Sequence, residues 1–290
     1  MLVLFARGVS RILSISLLAG LIGATFVRLG PGFGASVQEL DPRLSDATRA
    51  EMQRRNGAGG DVPRYYAHWV ASVLRGDLGF SPSLQRPISE LLRERAGITA
   101  VEVAGGTAAG VATGFLLAVV LLGCPRPLAS LLGGLGSSVA LSVPAAVMAL
   151  LCLWLDVNPV WAVAAAVLPH AFQYLADVLR TSAASDHVLA ARARGVGRFR
   201  ILFLHVVAPV LGEVAAVSGM AVSIAFGASI PIEAVCSRPG IGQLVWQAAM
   251  SRDLPVLVNM TVLIAIVTIG ANTLTDVVVA ARNPAQGGAR

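Results

Sequence analysis

Six long apolar runs, at residues 9–27, 98–122, 128–155, 160–179, 206–230 and 255–281, constrain the fold more than any other feature. Each is about 20 residues or longer, enough for a helix to cross roughly 30 Å of hydrocarbon. In hydrocarbon every backbone N–H and C=O must find a partner within the chain, so runs of this kind form helices. Composition agrees: 56% of the 290 residues are hydrophobic and only 13% are charged, where soluble domains carry about 25% charged residues. The expectation is an all-α polytopic membrane protein with six transmembrane helices. Arg7 and Arg11 beside the first run would also suit a cleaved signal peptide. The near-span length of that run, and an even number of spans with both termini on one side, favour an uncleaved first crossing.

The 22 basic residues are all Arg, giving a net charge of +6. Without Lys the chain has neither a nucleotide-binding phosphate loop nor a Schiff-base lysine. The Arg residues flank apolar runs instead of forming one surface, which argues for a bilayer and against nucleic acid. With the N-terminus inside, the inner segments hold Arg7, Arg11, Arg126, Arg180, Arg192, Arg194, Arg198, Arg200, Arg282 and Arg290, against Asp186. That asymmetry places both termini in the cytoplasm. Cys124, Cys152 and Cys236 lie far apart, and neither they nor the four His residues show a disulfide or metal spacing.

The chain divides into an N-terminal span (1–27), an extracytoplasmic segment (28–97), a five-helix membrane region (98–281) with a cytoplasmic loop at 181–205, and a tail (282–290). The 28–97 segment carries ten Arg and eight acidic residues. A helix can start at Asp41-Pro42 and break at Gly57-Ala58-Gly59-Gly60. A second, amphipathic helix is expected from Pro63 to Leu74, with Tyr66, Trp69, Val70 and Val73 on one face. Arg75–Gly79 reads as a turn, and Arg86–Glu90 as the start of another short helix.

Within the cytoplasmic loop, residues 186–200 form a basic island. Asp186 can cap a helix, Ala190, Ala191 and Ala193 favour one, and Gly195 and Gly197 permit a sharp bend. A small-faced helix of this kind can enter a groove on a partner, although cytoplasmic loops are often basic without any such role. Gly106, Gly110 and Gly114 recur every fourth residue, as a close-packing ridge requires. Pro144 and Pro169 fall inside apolar runs, where they kink or unwind helices. Glu102, Asp177, Glu213, Asn272 and Asp276 lie in or near spans and face a cavity or a partner. Asp177 and Asp276 suit snorkelling or pairing with Arg180 or Arg282, Glu213 suits either a pathway or a helix–helix hydrogen bond, and His170 reads as a packing residue.

Several of these residues resemble one family in order along the chain. Arg75-Gly76-Asp77-Leu78-Gly79-Phe80-Ser81 with Arg86-Pro87-Ile88 and Glu90 is similar to the segment before the second span of permeases from binding-protein-dependent ABC importers of dipeptides, oligopeptides and nickel. Leu141-Ser142-Val143-Pro144 resembles their Leu-Ser-x-Pro, and Ala190–Gly195 their form of the Glu-Ala-Ala loop. Glu233 and Arg238-Pro239-Gly240-Ile241-Gly242 resemble the outer-loop Glu and Pro-Gly-Leu-Gly. Asp253-x-Pro255, Asn272, Asp276 and Asn283-Pro284 continue the likeness. Between Arg180 and Asp186 the chain is about four residues, roughly one helical turn, shorter than the family pattern. Glu213 stands where the family usually has Pro, and Pro31-Gly32-Phe33-Gly34 replaces Pro-Gly-Asp-Pro.

The resemblance implies a type I ABC importer permease fold in the bacterial inner membrane, with no catalysis of its own. The implied partners are two ABC ATPase subunits that hold ATP and Mg, a second homologous permease subunit, and an extracytoplasmic solute-binding protein. The implied ATPase-docking residues are Asp186, Ala190, Ala191, Arg194 and Gly195. Ser142, Pro144, Glu213 and Asn272 are the pathway candidates, and Asp77, Glu233, Gly240 and Gly242 are candidates for contact with the binding protein. No cofactor or metal is expected in the chain itself. Peptide, nickel, glutathione and opine carriers share this pattern. A stand-alone ion-coupled transporter would favour internal repeats with paired broken helices, and none is visible in the sequence. An intramembrane hydrolase using Ser142 or Ser223 with His170 has no Gly-x-Ser-x-Gly context.

Overall fold

The computed structural model of the chain describes residues 62–125, 128–129 and 131–282, with isolated positions between 10 and 25. Apart from those positions, the expected first span, the Asp41-Pro42 helix start, the 57–60 break and the C-terminal tail beyond 282 lie outside the described residues. The described chain is helical except for one two-stranded antiparallel pair, β1 (Phe80–Ser81) and β2 (Arg86–Pro87).

Four helices among the described residues are long and apolar enough to cross a membrane: Ile88–Leu122, Val160–Ala183, Arg198–Val235 and Leu254–Val279. The pair Gly133–Leu141 and Ala145–Trp154 supplies a fifth if it is one span broken by an 86° bend. Two compact units are present. One comprises Met1–Gly8, Ala100–Cys236 and Thr268–Arg290, and the other Val9–Thr99 and Ser237–Val267.

Beyond its first turns, the helix we call α2 (Ile88–Leu122) belongs to the first unit. That unit also holds α3 (Ser137–Leu141), α4 (Ala145–Trp154), α5 (Val160–Ala183), α6 (Asp186–Ala193) and α7 (Ala208–Val235). Its core is a seam between α2 and α5. A Cβ built on Gly106 would meet the Val163 side chain, one on Gly110 would lie 2.8 Å from the Ala164 carbonyl, and one on Gly114 would lie 3.0 Å from the Phe172 nitrogen. The glycine ridge is therefore a helix contact, with Val163, Val167, Leu175 and Leu179 fully buried on the α5 side.

One expectation is corrected here. The helix expected to start at Arg86 is not a separate short element: Arg86–Pro87 forms β2, and α2 then runs without interruption from Ile88 through the second apolar run. Gly97 is exposed there and does not break the helix. In the third apolar run a π-helical stretch, Leu131–Gly136, leads into α3, and the helix unwinds locally at Pro144 as expected. Pro144 lacks an N–H and takes the extended conformation (ψ 145°), so it starts α4 in a new direction.

In the second unit, α1 (Val62–Leu74) matches the expected amphipathic helix. Its Tyr66 hydroxyl donates to the Leu17 carbonyl at 2.6 Å, and Trp69 packs against Gly20. The unit also holds the β1–β2 pair, α8 (Ile241–Met250) and the opening turns of α9 (Leu254–Arg282).

Candidate functional site

The cytoplasmic-loop candidate is a compact elbow. Only Ala184 and Ser185 separate α5 from α6. Ser185, not Asp186, occupies the N-cap position with extended backbone (φ −73°, ψ 154°), and its hydroxyl donates to the Ser182 carbonyl. Asp186 sits one residue further in, within the first turn, where its charge favours the helix N-terminus.

The C-terminal end of α6 closes in a Schellman motif. Val196 N–H donates to the Ala191 carbonyl at 3.2 Å and Gly195 N–H to the Arg192 carbonyl at 3.0 Å. Gly195 takes φ +75°, the left-handed conformation this closure needs. A Cβ there would meet nothing within 4 Å, so the position demands glycine for its backbone and not for space.

The docking candidates divide by exposure. Asp186, Arg194 and Gly195 are exposed and Ala190 is half-buried, but Ala191, only 5% exposed, faces the chain's own interior beside the fully buried Val188. The exposed apolar group on α6 is Leu189, at 59%, and just beyond the bend Phe199 is 80% exposed between Arg198 and Arg200. Reading the helix at three-residue spacing would have found this: Val188 and Ala191 point inward and leave Leu189 outside. Two side chains then tie the elbow to the π-helical stretch Ile201–Val207 that leads into α7. Ser182 Oγ donates to the Val206 carbonyl at 3.0 Å, and His187 Nε2 to the His205 carbonyl at 2.9 Å.

The pathway candidates do not converge. Ser142 and Pro144 form the break between α3 and α4, and the Ser142 hydroxyl donates back to the Ser138 carbonyl. Glu213 on α7 accepts a 2.7 Å hydrogen bond from the Tyr174 hydroxyl of α5, the helix–helix alternative. Asn272 on α9 reaches Ser223 Oγ at 3.4 Å and packs beside Gly219. A cleft of about 240 Å³ opens at the break instead, between Leu141, Val143, Met148, Pro169, His170 and Gly227. His170, expected to be a packing residue, is exposed there, and its Nδ1 donates to the Ala166 carbonyl. The imagined hydrolase dyad does not form, because Ser142, Ser223 and His170 each bond elsewhere. Arg180 donates to the Ala129 carbonyl at 3.3 Å in place of the expected pairing with Asp177.

In the second unit Asp77 is exposed, and its carboxylate accepts from Gly79 N–H in a tight turn. Gly240 begins α8 and is buried, as is Gly242, while Ile241 N–H donates to Thr99 Oγ1 at 2.7 Å. Glu233 lies not in a loop but within α7, at 0% exposure. Sequence reasoning passed over the hub of this unit, which is Asp253. Its Oδ2 accepts from Ser81 Oγ (2.5 Å), Ser83 Oγ (2.6 Å) and Ser83 N–H (3.1 Å), and its Oδ1 from Val256 N–H at the start of α9.

A bundle of long apolar helices, one of them broken at Pro144, with an arginine-rich elbow, defines a polytopic transport-type membrane protein. Residues 110–286 match the family described as binding-protein-dependent transport system inner membrane component, and the chain belongs to that family. It is similar to a putative peptide permease protein of Brucella ovis, 31% identical over 82% of this chain and 83% of the relative. It is also similar to the oligopeptide transport system permease protein AppB of Bacillus subtilis (24%, covering 94% and 96%) and the glutathione transport system permease protein GsiC of Pectobacterium atrosepticum (29%, covering 90% of each). The chain is thus a permease component of a binding-protein-dependent transporter, a multi-pass membrane protein whose family works with a binding protein.

Proposed function

We propose that this chain is one permease subunit of an ATP-driven importer that moves peptides across the bacterial inner membrane. The reading includes six spans with both termini in the cytoplasm, a second permease subunit of the same type, two ATPase subunits carrying ATP and Mg, and a solute-binding protein at the outer face. The names of the relatives support peptides as the cargo, and a nickel or other small-solute importer of the same family is the alternative.

The observation that carries the reading is the elbow at 186–200. It presents Asp186, Leu189 and Arg194 outward, is closed by Gly195, and is bonded through His187 to the stretch Ile201–Val207 that leads into α7, to which Ser182 at the end of α5 also bonds. A push on this rigid elbow by closing ATPase subunits would tilt α5 and α7 together and alternate access to the pathway. Outside, the exposed Asp77 turn is the accessible binding-protein candidate, while Glu233, Gly240 and Gly242 are buried.

Gly195→Asp tests the docking role. We expect membrane insertion to persist, transport to be lost, and recovery of the ATPase subunits in a pull-down to fall, because the elbow cannot close at φ +75° without strain. Gly195→Asn, which tolerates left-handed backbone better, should retain part of the transport. Normal ATPase recovery with Gly195→Asp would refute the docking role.

A further inference from the structure

The cleft at the α3–α4 break combines three features. Its walls are apolar, from Leu141, Val143, Met148 and Pro169. Its polar group is His170, whose Nδ1 is committed as donor to the Ala166 carbonyl at 3.1 Å. In the neutral ring, that commitment leaves the lone pair on Nε2, which makes it a hydrogen-bond acceptor. The third feature is the break itself. An 86° bend separates α3 from α4 at Pro144, which has no N–H, while Ser142 and Val143 N–H still donate to the Ser138 and Ala140 carbonyls. At membrane depth such backbone persists only where protein covers it or where it lines a water-filled cavity. The exposed His170 beside the break fits the second case.

Building on the reading of the chain as a peptide permease, we propose that this cleft is a substrate subsite that receives the amino-terminal residue of a passing peptide, its apolar side chain against Leu141, Met148 and Pro169 and its ammonium donating to His170 Nε2. A volume of about 240 Å³ admits one side chain and not a folded peptide. The donor and acceptor roles match: an ammonium offers only N–H groups, and the ring offers a lone pair. The apolar walls select for size without fixing one side chain, as suits a carrier of varied peptides.

The test uses the complete transporter in proteoliposomes with saturating binding protein, measuring uptake of radiolabelled Leu-Ala-Ala and Gly-Ala-Ala. His170→Leu should lower uptake of both about tenfold, the usual scale for one hydrogen bond to a charged group. His170→Gln keeps an acceptor and should restore most of it. Gly227 lines the cleft and a Cβ there meets nothing within 4 Å, so Gly227→Leu narrows the cleft from an open position. It should slow Leu-Ala-Ala several-fold more than Gly-Ala-Ala. Equal slowing of both tripeptides, or none, by Gly227→Leu would overturn the subsite even if His170→Leu proved unstable. Equal losses in His170→Leu and His170→Gln would overturn the acceptor role. A wild-type transporter that imports neither tripeptide would instead overturn the peptide reading.

Discussion

Between α2 and α5 the seam is made of missing side chains: Gly106, Gly110 and Gly114 let α2 lie against the backbone of Ala164, Leu168 and Phe172. In the second unit the fastening is one side chain, the Asp253 carboxylate, 3% exposed, which gathers the Ser81–Ser83 turn onto the start of α9. The two fastenings rest on different physics. In a bilayer, lipid tails are as apolar as Leu, so helices gain by close van der Waals approach rather than by expelling water. Where water surrounds a small polar unit, a carboxylate that is fully hydrogen-bonded as it is buried can fix a turn with little apolar core.

The seam should be the less forgiving of the two. Gly110→Val would drive a branched side chain into the Ala164 carbonyl and Val167, both rigid parts of α5. Overpacking against backbone costs about 3 kcal/mol or more, so the variant should be largely absent from purified membranes. Gly227→Ala, at a glycine with open space, should accumulate like the wild type. Equal abundance of Gly110→Val and wild type would show that the seam is loose and end the contrast.

Asp253 comes next. Asp253→Ala removes the acceptor for two hydroxyls and a backbone N–H, and also the cap of α9. Summed over those bonds the loss is about 2–4 kcal/mol, confined to the second unit. The expected result is faster protease cleavage within 79–88 and faster amide exchange there, with unchanged exchange along the glycine seam. Asp253→Asn keeps an acceptor and should fall between. Uniform acceleration across both regions would mean that the two are not fastened independently.

How far these features were legible in the sequence follows from the same contrast. Span-length apolar runs, the four-residue glycine period and the Gly195 bend are local patterns, and helix geometry turns them directly into structure. The break at Pro144 was legible as a kink, but not as an 86° turn, because its size depends on the neighbours that Leu141 and Ala145 find. Asp253 was readable only as part of a motif, since its partners Ser81 and Ser83 lie some 170 positions away in the chain. Ala191 is misread for a simpler reason: composition suggests a helix that meets a partner through alanine, whereas the phase of α6 buries Ala191 and leaves Leu189 outside. His170 was read as packing because a lone histidine beside a proline carries no spacing signal, and only the fold places it at a cleft.

The smallest effect is expected at Arg86, which serves as the exposed counterpart to Asp253 in the same unit. Its guanidinium forms a two-pronged pair with Glu94, at 3.0 and 2.5 Å, and also meets Glu90 at 2.9 Å. Hydrogen bonds to Glu94 and then Glu90 hold its pKa above the ordinary value, so it stays charged at any pH the protein meets. The side chains are nonetheless open to water, where ion pairs are weak and screened by salt. Arg86→Gln should therefore leave abundance and transport unchanged and slightly raise exchange at the start of α2 in low salt. In 1 M salt, where the screening length is about 3 Å, variant and wild type should coincide. Asp253→Ala should remain distinct from wild type in the same high salt, because its bonds are buried and short. If salt erased the Asp253 effect as well, the carboxylate would be acting as a surface charge, and the distinction between a buried fastening and an exposed pair would not hold in this unit.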